Sequence, residues 1–112
     1  MKIAVPVANQ LLCMHFGHCE VFAFFEVDEA KKIIKSCTEV TPPAHEPGIL
    51  PQWVKKQGAD LVLAGGMGQR AQELFNQNGV HVVVGVTENN PAKAVLDYLK
   101  GNLITGTNAC DH

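Results

Sequence analysis

The chain predicts a three-layer α/β domain, a mixed five-stranded sheet with helices on both faces, in the element order β-β-β-α-β-α-β-α. Three observations carry this expectation. Two short apolar runs, 61–64 and 80–86, alternate with helix-periodic stretches, as parallel strands buried on both faces do. Three strand-like runs fill most of the first forty positions, with a charged turn between the last two. Glycine stands just past each helical stretch, at Gly58, Gly79 and Gly101, where a left-handed residue ends a helix.

Taken in order, Lys2 to Val7 is the first strand, rich in β-branched residues. Pro6 has no N–H for a ladder, so it belongs where the strand ends or faces an unpaired side. Val21 to Val27 is the second strand and Ile33 to Val40 the third. Cys37, mid-strand, is expected to pack as a small hydrophobe. The prolines and glycine of 41–48 make a crossover loop. Ile49, Leu50, Trp53, Val54 and Gln57 then keep helical period, and Pro51 is tolerable in the first turn. Leu61 to Ala64 is the fourth strand. A second helix opens near Gly68 with Ala71, Leu74 and Phe75 inward, and Val80 to Val86 is the fifth strand. Asn90 caps the last helix with Pro91 at its first position, and Ala92, Val95, Leu96 and Leu99 form its buried stripe. Right-handed crossovers give the strand order 3-2-1-4-5, with strand 2 antiparallel, in one domain spanning 1–112.

Composition narrows the function. The net charge is −2 with no basic run, so there is no electrostatic footprint for nucleic acid. No apolar run approaches the roughly 20 residues a membrane helix needs. The N-terminus enters a strand directly, without a signal-peptide pattern, which points to the cytoplasm. Thiols stay reduced there, so the four cysteines read as ligands or buried thiols rather than disulfides. Cys13 and Cys19 are spaced C-x5-C, unlike a C-x-x-C redox pair.

The chemistry concentrates in Cys13-Met14-His15-Phe16-Gly17-His18-Cys19, and a second Cys/His unit, Cys110-Asp111-His112, stands at the C-terminus. Singly, each would be a core cysteine or a solvated histidine. Together, thiolate and imidazole are the ligands that suit zinc, copper(I) and iron–sulfur species. Cys13, His15 and Cys19 are the primary candidates, with Cys110 and His112 arriving from the tail. His18 is weaker, because adjacent His18 and Cys19 would rarely bind one ion; His45 reads as a solvated loop residue and His81 as structural.

In the predicted sheet the loops after strands 1, 4 and 5 leave at one end, beside the point where the winding direction switches. Gly65-Gly66-Met67-Gly68 should therefore face the Cys/His loop. Glycines admit close backbone approach, and the helix start favours an anion, with Arg70 in the first turn able to add charge. The loop lacks the lysine and spacing of a P-loop. A two-metal nuclease would need converging carboxylates, and Asp60 lies at the wrong end of strand 4. A Cys13 nucleophile with a His15 base has no evident third group to orient it. The residues thus favour a binding protein over an enzyme.

Cys13-Met14-His15-Phe16-Gly17, the 47–53 segment Pro-Gly-Ile-Leu-Pro-Gln-Trp, Gly58-Ala59-Asp60, Gly65-Gly66-Met67-Gly68 with Ala71, Gly79-Val80 and the tail from Gly101 to His112 resemble the dinitrogenase iron–molybdenum cofactor biosynthesis family. This is the NifX type, also seen as the C-terminal domain of NifB and in NafY. The resemblance implies a ribonuclease H-like fold and a carrier of a metal–sulfur cluster of iron–sulfur, iron–molybdenum–sulfur or molybdenum–copper–sulfide type. It also implies a protein that donates or accepts the cluster. The alternative is a zinc-stabilised interaction module, in which four of the same ligands close a tetrahedral site.

Overall fold

The computed structural model describes residues 1–14, 19–43 and 48–107. Its elements are β1 (Lys2–Ala8), β2 (Leu11–Leu12), β3 (Val21–Asp28), β4 (Ile33–Val40), α1 (Ile49–Lys56), β5 (Leu61–Leu63), α2 (Gln69–Gln77), β6 (His81–Val83) and α3 (Pro91–Lys100). The sheet path is β4-β3-β1-β5-β6, with β3 antiparallel to both neighbours and β1, β5 and β6 parallel.

The sheet has six strands rather than five, because β2 adds to it off this path. Asn9 and Gln10 both take left-handed conformations (φ 53 and 67), which folds the chain back into a tight two-residue hairpin. Val7 then pairs with Leu12 on one side and Val21 on the other. Since β3 lies on the far side of β1, β2 occupies the slot in the sheet just beyond the end of β5.

Alternation along the strands sorts the core into two layers. Ile3, Val5, Ala23, Phe25 and Val27 pack with Ala94 and Val95 of α3. Ala4, Phe22 and Phe24 pack with Leu50 and Val54 of α1 and Phe75 of α2. Trp53 meets Phe22 and Phe24 edge-on, with ring centroids 5.6 and 5.7 Å apart. Each large side chain buried in this way contributes roughly 1.5–3 kcal/mol.

Three local expectations need correction. Cys37 is exposed, because β4 is the edge strand and six of its eight residues are exposed. The inner stripe of α3 uses Ala94 rather than Ala92, which is exposed in the first turn, and Tyr98 rather than Leu96, which is half-buried; Val95 and Leu99 complete the stripe. The last strand stops at Val83, because Gly85 takes φ 77 and breaks the extended run. Val86 beyond it pairs with Thr105 of the tail.

The topology gives the molecule two unlike ends. Lys2, at the start of β1, donates its backbone N–H to Asp60 Oδ2 (3.1 Å) and its Nζ to Gln57 O at the C-terminus of α1 (2.8 Å). The opposite end receives the last residues of β1 and β5 and the first residues of all three helices.

Candidate functional site

The loop carrying Cys13 and Cys19 is tied to β1 at both ends. The Cys13 N–H donates to Pro6 O (2.8 Å), and the Glu20 N–H donates to Val7 O (2.9 Å). Glu20 also steadies the hairpin, its Oε1 accepting from the Asn9 N–H (2.7 Å). The Leu12 N–H donates to Asn89 O (2.7 Å), which fixes β2 against the entrance of α3.

Cys13 and Cys19 are both buried, at the edge of the layer that holds α1 and α2. Burial pushes the Cys19 thiol up to about 11, and negative charge on the neighbouring Cys13 adds to the rise. Cys19 is therefore a protonated thiol at neutral pH, and a metal must displace that proton to bind it.

The glycine turn after β5 packs directly on this loop. A Cβ placed on Gly65 would lie 3.0 Å from both the Cα and the Sδ of Met14, and 3.4 Å from the carbonyl oxygen of Cys13. The two segments that the sequence predicts at one end of the sheet are thus in van der Waals contact. Gly65 also begins a row of main chain. The Gly85 N–H donates to Gly65 O (3.0 Å), and the Gly106 N–H donates to Gly85 O (2.6 Å). The Gly106 carbonyl sits where a Cβ on Gly85 would be, so the row needs glycine there for space as well as for its positive φ. This row brings the tail to the site end of the sheet.

The remaining predicted residues fall in different places. Gly66 is buried. Met67 is fully buried in the core and its carbonyl accepts from Gln72 Nε2 (2.9 Å), so its side chain serves packing instead of facing a ligand. Gly68 is the N-cap of α2, makes no side-chain cap bond, and has open space where a Cβ would project. Arg70 reaches into solvent and pairs with Glu73 at 3.7 Å rather than lying over the turn. His15, Cys110 and His112 lie outside the described residues, as do His18 and His45. Among the described residues, no group of three or more His, Cys, Asp and Glu could hold a metal ion. His81 is exposed at the start of β6, away from the site end.

All three helices begin toward this end of the sheet, α1 and α2 on one face and α3 on the other. α1 starts after β4 ends opposite Phe22, which itself pairs with Pro6. α2 starts at Gly68, and α3 starts beside the residue that accepts from Leu12. α3 satisfies its first turn with Asn90 Oδ1, which accepts from the Lys93 N–H (3.0 Å). α1 and α2 have glycine N-caps with no side-chain acceptor, and neither has an acidic residue in its first turn. Their leading amides leave a partial positive charge at this end of the molecule.

Residues 1–101 match the profile of the family described as dinitrogenase iron-molybdenum cofactor. The chain belongs to that family. The crystal structure of PH0822, a similar protein, superposes with this dinitrogenase cofactor-family chain at a TM-score of 0.87, with 30% identity over 97% of each chain. The apo form of the orange protein from Desulfovibrio gigas shares the fold, with a TM-score of 0.72 and 24% identity over 96% of this chain and 93% of its own. The protein MJ0580 of Methanocaldococcus jannaschii is 29% identical over 85 residues, 73% of this chain and 72% of its own. Among the described residues of this family member, no helix is long and apolar enough to cross a membrane.

Sequence reasoning missed Met14 as the residue that meets the glycine turn, and Gly85 and Gly106 as the rest of the row. An isolated glycine near a strand end is a signal of close backbone approach, and it marks Gly85. Gly106 carries no comparable pattern.

Proposed function

We propose that this chain holds an anionic metal–sulfur cluster as cargo at this end of the sheet and passes it to another protein, without catalysing a reaction of its own. The observation that carries the reading is the contact of Met14 with Gly65, which seats the two-thiol loop on the glycine turn. One wall then offers soft sulfur ligands, Cys13 and Cys19, and the other offers helix amides. A bare cation would find the second wall unfavourable; a cluster with outward sulfides would accept hydrogen bonds from it.

His15 lies between the two thiols in sequence and completes the soft set. Cys110 and His112 follow Gly106 in the sequence and are proposed to complete the ligand set. The family supports a cofactor-carrier role. In this reading the domain is a ribonuclease H-like fold working in the cytosol, and its cargo is of iron–sulfur, iron–molybdenum–sulfur or molybdenum–copper–sulfide type.

The test is anaerobic isolation followed by metal and acid-labile sulfide analysis, with titration of the parent and of Cys13→Ser by Zn2+ and by tetrathiomolybdate. Metal and sulfide should co-purify, and Cys13→Ser should weaken thiomolybdate binding at least tenfold. Tight zinc binding without sulfide, and no thiomolybdate binding by the parent, would replace the carrier with the zinc-stabilised module.

A further inference from the structure

We infer that the exposed edge of β4 is a self-recognition strand, on which a second copy of this chain docks antiparallel about Cys37. β4 pairs only with β3 among the described residues, yet it is eight residues long, against three for β6 at the opposite edge. A long unpaired edge is a template for another strand, and proteins normally blunt such edges with charge or a bulge. Both devices are present. The register slips by one beside Glu26, leaving Lys35 as an extra residue, and Glu39 lies further along the same strand.

The sequence of β4 is complementary to its own reverse. Antiparallel pairing centred on Cys37 sets Ser36 opposite Thr38 twice and brings Lys35, the extra residue of the bulge, beside Glu39 twice. Ile34 and Val40, which the bulge puts on opposite faces of the sheet, do not pair. Parallel pairing would set Lys35 on Lys35 and Glu39 on Glu39, which is repulsive. No ion pair engages Lys35 or Glu39 among the described residues. The charges that repel unrelated strands therefore match a second copy of this one.

The flanks of β4 are also incomplete. A pocket of about 250 Å³ opens on the α1 side over Phe24, Ser36, Thr38 and Val40. Another, of about 330 Å³, opens on the α3 side over Phe25, Ile34, Cys37 and Pro91. Ile33 is 47% exposed at the end of the strand. An added strand extends the sheet between these pockets, and its alternating side chains cover both. The contact is independent of the cargo site, which lies at the strand ends near Gly65.

A single strand edge is a small interface, so the pair should be transient, half-associated at roughly 100 μM. The experiment is sedimentation equilibrium of the full chain, with chelator and reductant, from well below to well above that concentration. The parent should shift from monomer to dimer. Lys35→Glu and Glu39→Lys should each remain monomeric, and the double charge swap should dimerise again. Cα atoms opposed across an antiparallel pair lie about 4.5–5.5 Å apart, within the range a disulfide spans. Diamide, whose N=N bond is reduced as two thiols give up their hydrogens, should therefore link the parent through one Cys37–Cys37 bond. Cys37→Ser should keep the reversible dimer and lose the covalent one. A parent that stays monomeric throughout, or a charge swap that fails to restore pairing, would overturn the inference.

Discussion

Met14 rests on Gly65 so closely that its Cα and Sδ both stand 3.0 Å from where an alanine methyl at Gly65 would be. One of those atoms is backbone, which cannot rotate aside. Gly65→Ala should therefore push β2 and the β5–α2 turn apart, costing about 1–3 kcal/mol in urea denaturation. The same substitution should weaken thiomolybdate binding by separating the two walls. Unchanged stability would mean that the two loops move freely against each other.

Gly68→Asp offers a test with two opposite signs. Gly68 caps α2 without a side-chain acceptor, and a Cβ there meets nothing within 4 Å. An aspartate would supply the missing cap and stabilise the protein by about 0.5–1 kcal/mol. It would also place a negative charge over the amides proposed to face the cargo, so anionic cluster binding should fall. Increased stability with undiminished binding would remove α2 from the site.

Gly85→Ala combines two costs, a positive φ of +77 and a steric overlap with the Gly106 carbonyl. Loss of more than about 2 kcal/mol is expected. Amide exchange should speed up at Gly106, whose N–H bonds to Gly85 O, and stay slow at Val62 in the sheet centre. Equal acceleration at both amides would show general unfolding rather than release of the tail.

The pH dependence follows from Cys19. Its folded pKa of about 11 lies above the ordinary thiol value of 9.0, because burial and Cys13 disfavour the thiolate. The folded state holds the proton more tightly than the unfolded chain does. The associated stability is complete below pH 9 and is lost as pH rises toward about 11. Metal-free protein should show this decline in thermal melts, and Cys19→Ala should reduce it, leaving the contribution of Cys37, whose thiol is also raised by burial and by Glu39. For the same reason, apparent metal affinity should rise about tenfold per pH unit for each proton displaced.

How much of this was legible in the sequence depended on whether the deciding interaction was local. The juxtaposition of Cys13 with Gly65 could be inferred, because parallel strands send their following loops to one end. β2 could not: its turn, Asn9-Gln10, adopts left-handed conformations without the glycine that marks most such hairpins. Cys37 reads as a core residue from its own strand pattern, although the predicted order already puts that strand at the edge, where one flank has no neighbour to bury it. Met67 sits among glycines with its side chain in the core, which leaves its backbone as the part that could face a ligand. The pairing of Val86 with Thr105 joins a strand end to a polar tail, and Thr105 carries no strand pattern of its own.

The uncapped starts of α1 and α2 have a consequence for how binding responds to ionic strength. The chain's net charge is −2, and Arg70, at the start of α2, is engaged by Glu73. At the proposed site the positive potential would come from fixed peptide dipoles, which hold no condensed counterions and act within about one helical turn. Cargo binding should then release few ions, and its affinity should change little between dilute buffer and physiological salt. A lysine-lined anion groove would show a steep dependence over the same range.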